Sequence, residues 1–227
     1  MIRSCHNGHS SPSKGDHYGP VKPPAFEQAY AFLHRRLRNG DYMPGSKVQA
    51  GDVVSLLGIS ATPVREALSR LAGQSLLIDR RAMGYFVPPI DPVDLRDLYS
   101  LASMLAVSAM RSINLPSLDR QRYGTDAELP CGCAGELLVT IASLTANSAL
   151  CLVAANVDDR LAPFATVEKS MFGERDREQG KFVHWLASRD QRQCVLNVAR
   201  FYRRRMRSTM DIAASASASL SARENIF

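Results

Sequence analysis

Arginine, serine and threonine at the head of an amphipathic helix can recognise a polyanion. The chain carries that combination in "GISATPVREALSRL", Gly58 to Leu71. Val64, Leu68 and Leu71 recur at i, i+4 and i+7 with Ala67 beside them, which defines one apolar stripe. Arg65 lies one turn in from Ala61 and one turn before Ser69, on the opposite face. An arginine so placed can enter the major groove and chelate a guanine through O6 and N7. Ser60 and Thr62, together with the first N–H groups of the helix, suit a phosphate. Arg80 and Arg81 add two positive charges just before Gly84, where the chain is expected to turn. The candidate DNA-binding residues are therefore Ser60, Thr62, Arg65, Arg80, Arg81 and Gly84. The same helix, taken alone, also fits a core helix with a solvated charged face. The elements around it separate the two readings.

Those elements follow a fixed order. Phe26, Tyr30, Leu33 and Leu37 fall at helical spacing, with Gly40 as the stop. Pro44-Gly45 suits the centre of a type II turn. A short helix over about residues 50–57 ends at Gly58, and Ser60 or Thr62 caps the next helix, with Pro63 in its first turn. Leu76–Ile78 and Tyr85–Val87 read as two strands, stopped by Pro88-Pro89. Helix, helix–turn–helix, hairpin is the order of a winged helix. In a helix–turn–helix the second helix lies in the major groove.

Charge supports a polyanion partner. Residues 1–90 hold 11 Lys/Arg against 6 Asp/Glu, whereas residues 91–227 hold 17 against 16. No apolar run reaches the roughly 20 residues that span a bilayer, and the N-terminus lacks the apolar centre of a secretory signal, so no membrane association and a cytoplasmic location are expected. Five cysteines at irregular spacing do not make a disulfide framework. Phosphate loops, Ser–His–Asp orders and paired carboxylates are missing, so no enzyme is expected. No cofactor is expected either.

Residues 1–22 read as a disordered tail, in which Cys5, His6, His9 and His17 lack a fold to support a metal. Beyond the connector "PPIDP" the chain reads as helical over about 93–112, 134–146, 148–163, 165–189 and 190–209. The stretch 210–227 is a low-complexity tail with little to bury. The expected fold class is mainly α: an N-terminal winged helix–turn–helix over 24–88 plus a C-terminal all-helical bundle over 93–209.

The segments "GDYMPGSKV", "LLGISATPVREALSRLAGQSLL" and "GYFV" resemble the DNA-binding domain of GntR-type transcriptional regulators. Behind it, "DLYSLASMLAVSAM", "LLVTIASLTANSAL" and "FVHWLASRDQRQCVLNVARFYRRRM" resemble the FCD domain of the FadR-like branch, with Asn147 at a motif asparagine. The resemblance implies a homodimer that binds a palindromic operator on double-stranded DNA, a small organic effector, and repression as the commoner output. The departures are as informative. The pattern's arginine after the first motif serine is Ala61 here, and Gly51 replaces another basic position. Ala134, Leu138, Gln179 and Phe201 stand where metal-binding relatives carry one Asp and three His, so no metal is expected. Ala102 and Ala106 stand where an effector-facing arginine and an acid are expected, which removes the bidentate partner of a carboxylate. His184 falls off the ligand register, Trp185 is expected in the core, and Cys131-Gly-Cys133 reads as a loop with two thiols. The basic run Arg200–Arg207 reads as the wet face of the last helix. An alternative stays open: a constitutive DNA-binding or dimerisation protein whose C-terminal domain has lost effector and metal binding.

Overall fold

The computed structural model describes residues 23–115, 133–173 and 189–224. The N-terminal unit contains α1 (Ala25–Arg38), α2 (Ala50–Leu57), α3 (Ala61–Gly73), β1 (Ile78–Arg80) and β2 (Gly84–Phe86). Ala29, Leu33 and Leu37 of α1 face Val64, Ala67, Leu68 and Leu71 of α3, and all are buried. Each fully buried leucine of this kind contributes about 1.5–3 kcal/mol. Val48, Val53, Leu76 and Leu77 close the core.

The turns follow from backbone chemistry. Gly45 takes φ 78° while the Ser46 N–H reaches the Met43 carbonyl at 3.0 Å, as the Pro-Gly pair requires. Gly58 ends α2 in the left-handed conformation at φ 63°. At the end of α3 the left-handed residue is Ser75, at φ 61°, with the Leu76 N–H bonded to the Leu71 carbonyl at 3.0 Å. Glycine relieves the Cβ crowding that Ser75 accepts there.

The hairpin differs from expectation in its bounds. Leu76 and Leu77 are buried core residues ahead of the strand, which begins at Ile78. Arg80 pairs with Gly84, so the turn is made by Arg81–Met83, with Ala82 at φ 60°, and Gly84 already belongs to β2. A third segment joins the sheet: Lys47 pairs with Phe86 and the Val48 N–H bonds to the Tyr85 carbonyl at 2.9 Å.

The second unit is built on α4 (Pro92–Ser112), with α5 (Ala134–Ser143), α6 (Ser148–Leu161), a 3₁₀ turn (Ala162–Phe164), α7 (Ala165–Phe172), α8 (Gln191–Arg207) and α9 (Thr209–Glu224). Asp91 caps α4 through the Val93 N–H at 2.7 Å, with Pro92 in the first turn. Leu95, Tyr99, Ala102, Ala106 and Met110 make the buried stripe of α4, against which α5, α8 and α9 pack. Asn147 accepts the Leu150 N–H at 3.0 Å and caps α6, which gives the motif asparagine a local structural role. The helix expected over 165–189 runs only to Phe172, and residues 174–188, with Gln179, His184 and Trp185, lie outside the described residues. Cys131 and residues 1–22 lie outside them as well. The Ser/Ala-rich end, expected to offer little to bury, forms α9 and buries Ile212, Ala213 and Ala216.

Candidate nucleic-acid interface

With its apolar stripe spent on α1, α3 presents Thr62, Arg65, Glu66 and Ser69 to solvent. These positions share one face of the helix. Among the described residues Arg65 makes no ion pair or hydrogen bond, so its guanidinium is available. Arg70 is committed elsewhere: it lies over the Phe26 and Tyr30 rings at 5.9 and 5.5 Å and ties α3 to α1. Ser60 occupies the N-cap position in extended conformation, but its hydroxyl does not cap the helix. That hydroxyl and the first-turn N–H groups are thus unused by the helix itself. Ala61 is half-buried at the first helical position.

The wing supplies further cations. Arg81 is exposed in its turn, next to exposed Met83. Arg80 is stacked over the Phe86 ring at 4.5 Å, which fixes its guanidinium against the sheet. Lys47, outside the candidate residues of the motif, stands opposite Phe86 and runs along Gly84: a Cβ on Gly84 would meet Lys47 Cε at 3.0 Å. The role of Gly84 is corrected accordingly. It keeps φ 101° and leaves space for a lysine stem instead of turning the chain. Lys47, Arg80 and Phe86 thus share the outer face of the sheet. No periodicity signals the short bridge that brings Lys47 there.

The N-terminal unit is fixed to the bundle through polar groups. Arg38 of α1 bonds to Asp158 at 2.9 Å and to Asp159, and His34 meets Asp159 at 2.8 Å. Asn156 donates to the Gln74 carbonyl at 2.8 Å. Burial raises the Asp158 carboxyl above its ordinary range; Arg38 opposes the shift, and Asp159 and Glu136 reinforce it.

The bundle interior corrects one sequence expectation. In the basic run Arg200–Arg207, Arg205 faces the core and not solvent. Its Nε donates to Glu168 at 2.6 Å, and its guanidinium lies 3.4 Å from the Phe201 ring centre. The Glu168 carboxylate also accepts the Tyr99 hydroxyl at 2.8 Å and the Ala134 N–H at 3.0 Å. Burial pushes Glu168 upward in pKa, and these donors oppose it. Tyr202 donates to the Ala134 carbonyl at 2.7 Å. Ala102, Ala106, Ala134 and Leu138 all face this interior fully buried. Ala134 and Leu138 stand at two of the four positions where the resemblance puts metal ligands, and their side chains, like that of Phe201 at a third, carry no ligating atom, so that metal set does not fit the residues present; Ala102 and Ala106 likewise offer an effector carboxylate no partner. Cys133 is buried, with its thiol pushed up to about 12 by desolvation, so it is not a thiolate at neutral pH.

The fold is a winged helix–turn–helix joined to an all-helical bundle. Residues 25–87 match the family model described as bacterial regulatory proteins, gntR family, so the N-terminal unit is of the GntR type. An Nta operon transcriptional regulator of Aminobacter aminovorans is 34% identical over 70 residues, 31% of this chain and 33% of that protein. A helix–turn–helix regulator of Agrobacterium vitis is 28% identical over 91 residues, 39% of this chain and 53% of that protein. The matched stretches thus span a third and about half of these relatives' lengths. Among solved structures, one described as a GntR transcriptional regulator from Rhodococcus sp. RHA1 superposes with a TM-score of 0.70 at 16% identity, covering 82% of this chain and 97% of that one. E. coli McbR/YncC gives 0.63 at 18% identity, covering 84% and 99%. The fold is therefore shared across both units, and the family and the named relatives are transcription regulators, not enzymes. Among the described residues no helix is long and apolar enough to cross a membrane.

Proposed function

We propose that the protein is a DNA-binding transcriptional regulator that acts as a repressor, binding a palindromic operator as a homodimer. One observation carries this reading. The exposed stripe Thr62, Arg65, Ser69 lies on the side of α3 opposite the core, in a unit that also presents Lys47, Arg80 and Arg81 on its wing. Ser60, Thr62 and the wing cations contact phosphates, and Arg65 contacts a base edge. The C-terminal bundle, read as a diverged FCD domain, holds the two copies at the spacing of the half-sites. A ligand that prefers one arrangement of the bundle changes that spacing and therefore the affinity.

The experiment is an in vitro selection from random duplexes, followed by titration of the selected site at several salt concentrations. The expected outcome is a palindromic site bound by two chains, with affinity falling steeply as salt rises. Enrichment of no sequence, or binding insensitive to salt, overturns the reading. A reporter with the site placed over its promoter tests repression directly.

A second reading, a constitutive regulator whose bundle only dimerises, is favoured by one feature. The bundle interior already holds its own acid–base pair, Glu168 with Arg205, where an effector carboxylate would need a free arginine.

A further inference from the structure

We propose that the junction between the winged helix and the bundle binds a small apolar α-amino acid; this rests on the reading of the protein as an effector-responsive regulator and moves the effector out of the bundle interior. A cavity of about 160 Å³ lies at the junction, walled by Leu37, Leu76 and Val87 on the winged-helix side and by Leu98, Phe164 and Ala216 on the bundle side. Sites for drug-sized ligands run to roughly 300–1,000 Å³. This one therefore suits a molecule the size of an amino acid.

The charges in its wall define the ligand further. Arg160 is half-buried there, and among the described residues it makes no ion pair or hydrogen bond. Its neighbour in the junction is engaged: Arg38 is held by Asp158 and Asp159. A partly desolvated guanidinium without an acceptor is unfavourable, and a carboxylate answers it through two parallel hydrogen bonds. Of the three acids in the wall, Asp159 is bonded to Arg38 and His34, and Asp91 accepts the Val93 N–H through one of its oxygens. Asp94 is exposed and has no partner among the described residues. The cavity thus offers one open cation, the open carboxylate of Asp94 and the second oxygen of Asp91 over apolar walls. An apolar amino acid matches the cation, the acids and the walls with its carboxylate, ammonium group and side chain. A plain acid meets the negative charge of Asp94, and a plain amine leaves Arg160 unanswered. A ligand here touches both units beside the Arg38–Asp159 bridge and so favours one orientation of the reading helix.

The full chain is titrated by calorimetry with L-leucine, with 4-methylpentanoate, which lacks the ammonium group, and with 3-methylbutylamine, which lacks the carboxylate. Arg160→Gln and Asp94→Asn are titrated with L-leucine, with circular dichroism to establish that each variant is folded. Saturable leucine binding is expected, weakened about tenfold or more by each analogue and each variant. The proposal is overturned if leucine, isoleucine, valine, methionine and phenylalanine all give no binding. It is also overturned if Arg160→Gln binds like the parent or 4-methylpentanoate binds as well as leucine. DNA affinity is measured separately. A protein that binds its operator but no amino acid removes this site alone, and one that binds leucine but no DNA removes the regulator reading alone.

Discussion

The Arg205 guanidinium meets the Glu168 carboxylate at 2.6 Å, with the two side chains 1% and 0% exposed. Two charges this deep are tolerable because each has further partners: Tyr99 and the Ala134 N–H on the acid, Phe201 and Phe172 under the base. Removing one partner strands the other. Glu168→Gln or Arg205→Met is expected to cost about 3–5 kcal/mol in urea denaturation. The double variant Glu168→Met/Arg205→Met is expected to lose less than the sum of the singles. Additive losses would show that the two groups are not coupled.

Asp158 gives the junction a pH dependence. Burial raises its carboxyl in the folded protein, with Arg38 opposing. A carboxyl whose folded pKa exceeds its unfolded value binds its proton more tightly when folded. Its contribution to stability is therefore fully present below the unfolded pKa, falls as pH rises to the folded pKa, and is constant above it. Asp158→Asn removes that slope. The difference in unfolding free energy between parent and variant should shift in the variant's favour through the carboxylate range and then level off. A difference that stays constant with pH would remove Asp158 as the source.

Arg65→Ala is expected to weaken binding to the selected operator by about 1–3 kcal/mol and to relax the preference at one base position. Its exposure without a partner means that little folding stability is lost with it. Unchanged affinity in a gel-shift titration takes Arg65 off the reading face.

The outer wing face behaves differently, because phosphates carry no sequence. Lys47→Ala is expected to weaken binding equally across selected sequences and to lower the salt slope by about 1. Arg80→Ala should do the same and also lose the stacking on Phe86, about 0.5–1 kcal/mol of folding stability. A sequence-dependent loss for Lys47 would place it on a base.

The orientation of α3 was legible in the sequence because apolar residues at helical spacing set it: Val64, Leu68 and Leu71 can only face inward together, which turns Arg65 outward. Gly45 and Gly58 were legible for a related reason, since a left-handed turn selects glycine locally. What escaped depends on distant partners. Lys47 acquires its place from a bridge to Phe86 nearly 40 positions away. Arg205 looks like its exposed neighbours until α7 brings Glu168 beside it. The weak apolar pattern of α9 gave no sign that Ile212 and Ala216 close the bundle, because a helix of small residues packs through its closeness and not its hydrophobic contrast.

Gly135 joins several of these relationships. It is buried at the second position of α5, where helix propensity alone would favour alanine by about 1 kcal/mol. Packing opposes that gain. A Cβ there would lie 2.8 Å from the Asp158 Cα and 3.0 Å from its Cγ. The first of these atoms is backbone, so relief requires α5 and α6 to separate; overpacking of this kind costs about 1–3 kcal/mol. Separation also draws Asp158 away from Arg38 and loosens the tie between the N-terminal unit and the bundle. Gly135→Ala is therefore expected to lower the unfolding free energy despite the better helix former. Truncation in Asp158→Ala/Gly135→Ala should restore part of the loss and not all of it, because the backbone contact persists. If Gly135→Ala instead stabilises the chain in urea denaturation, α6 does not lie against α5 as closely as this packing requires.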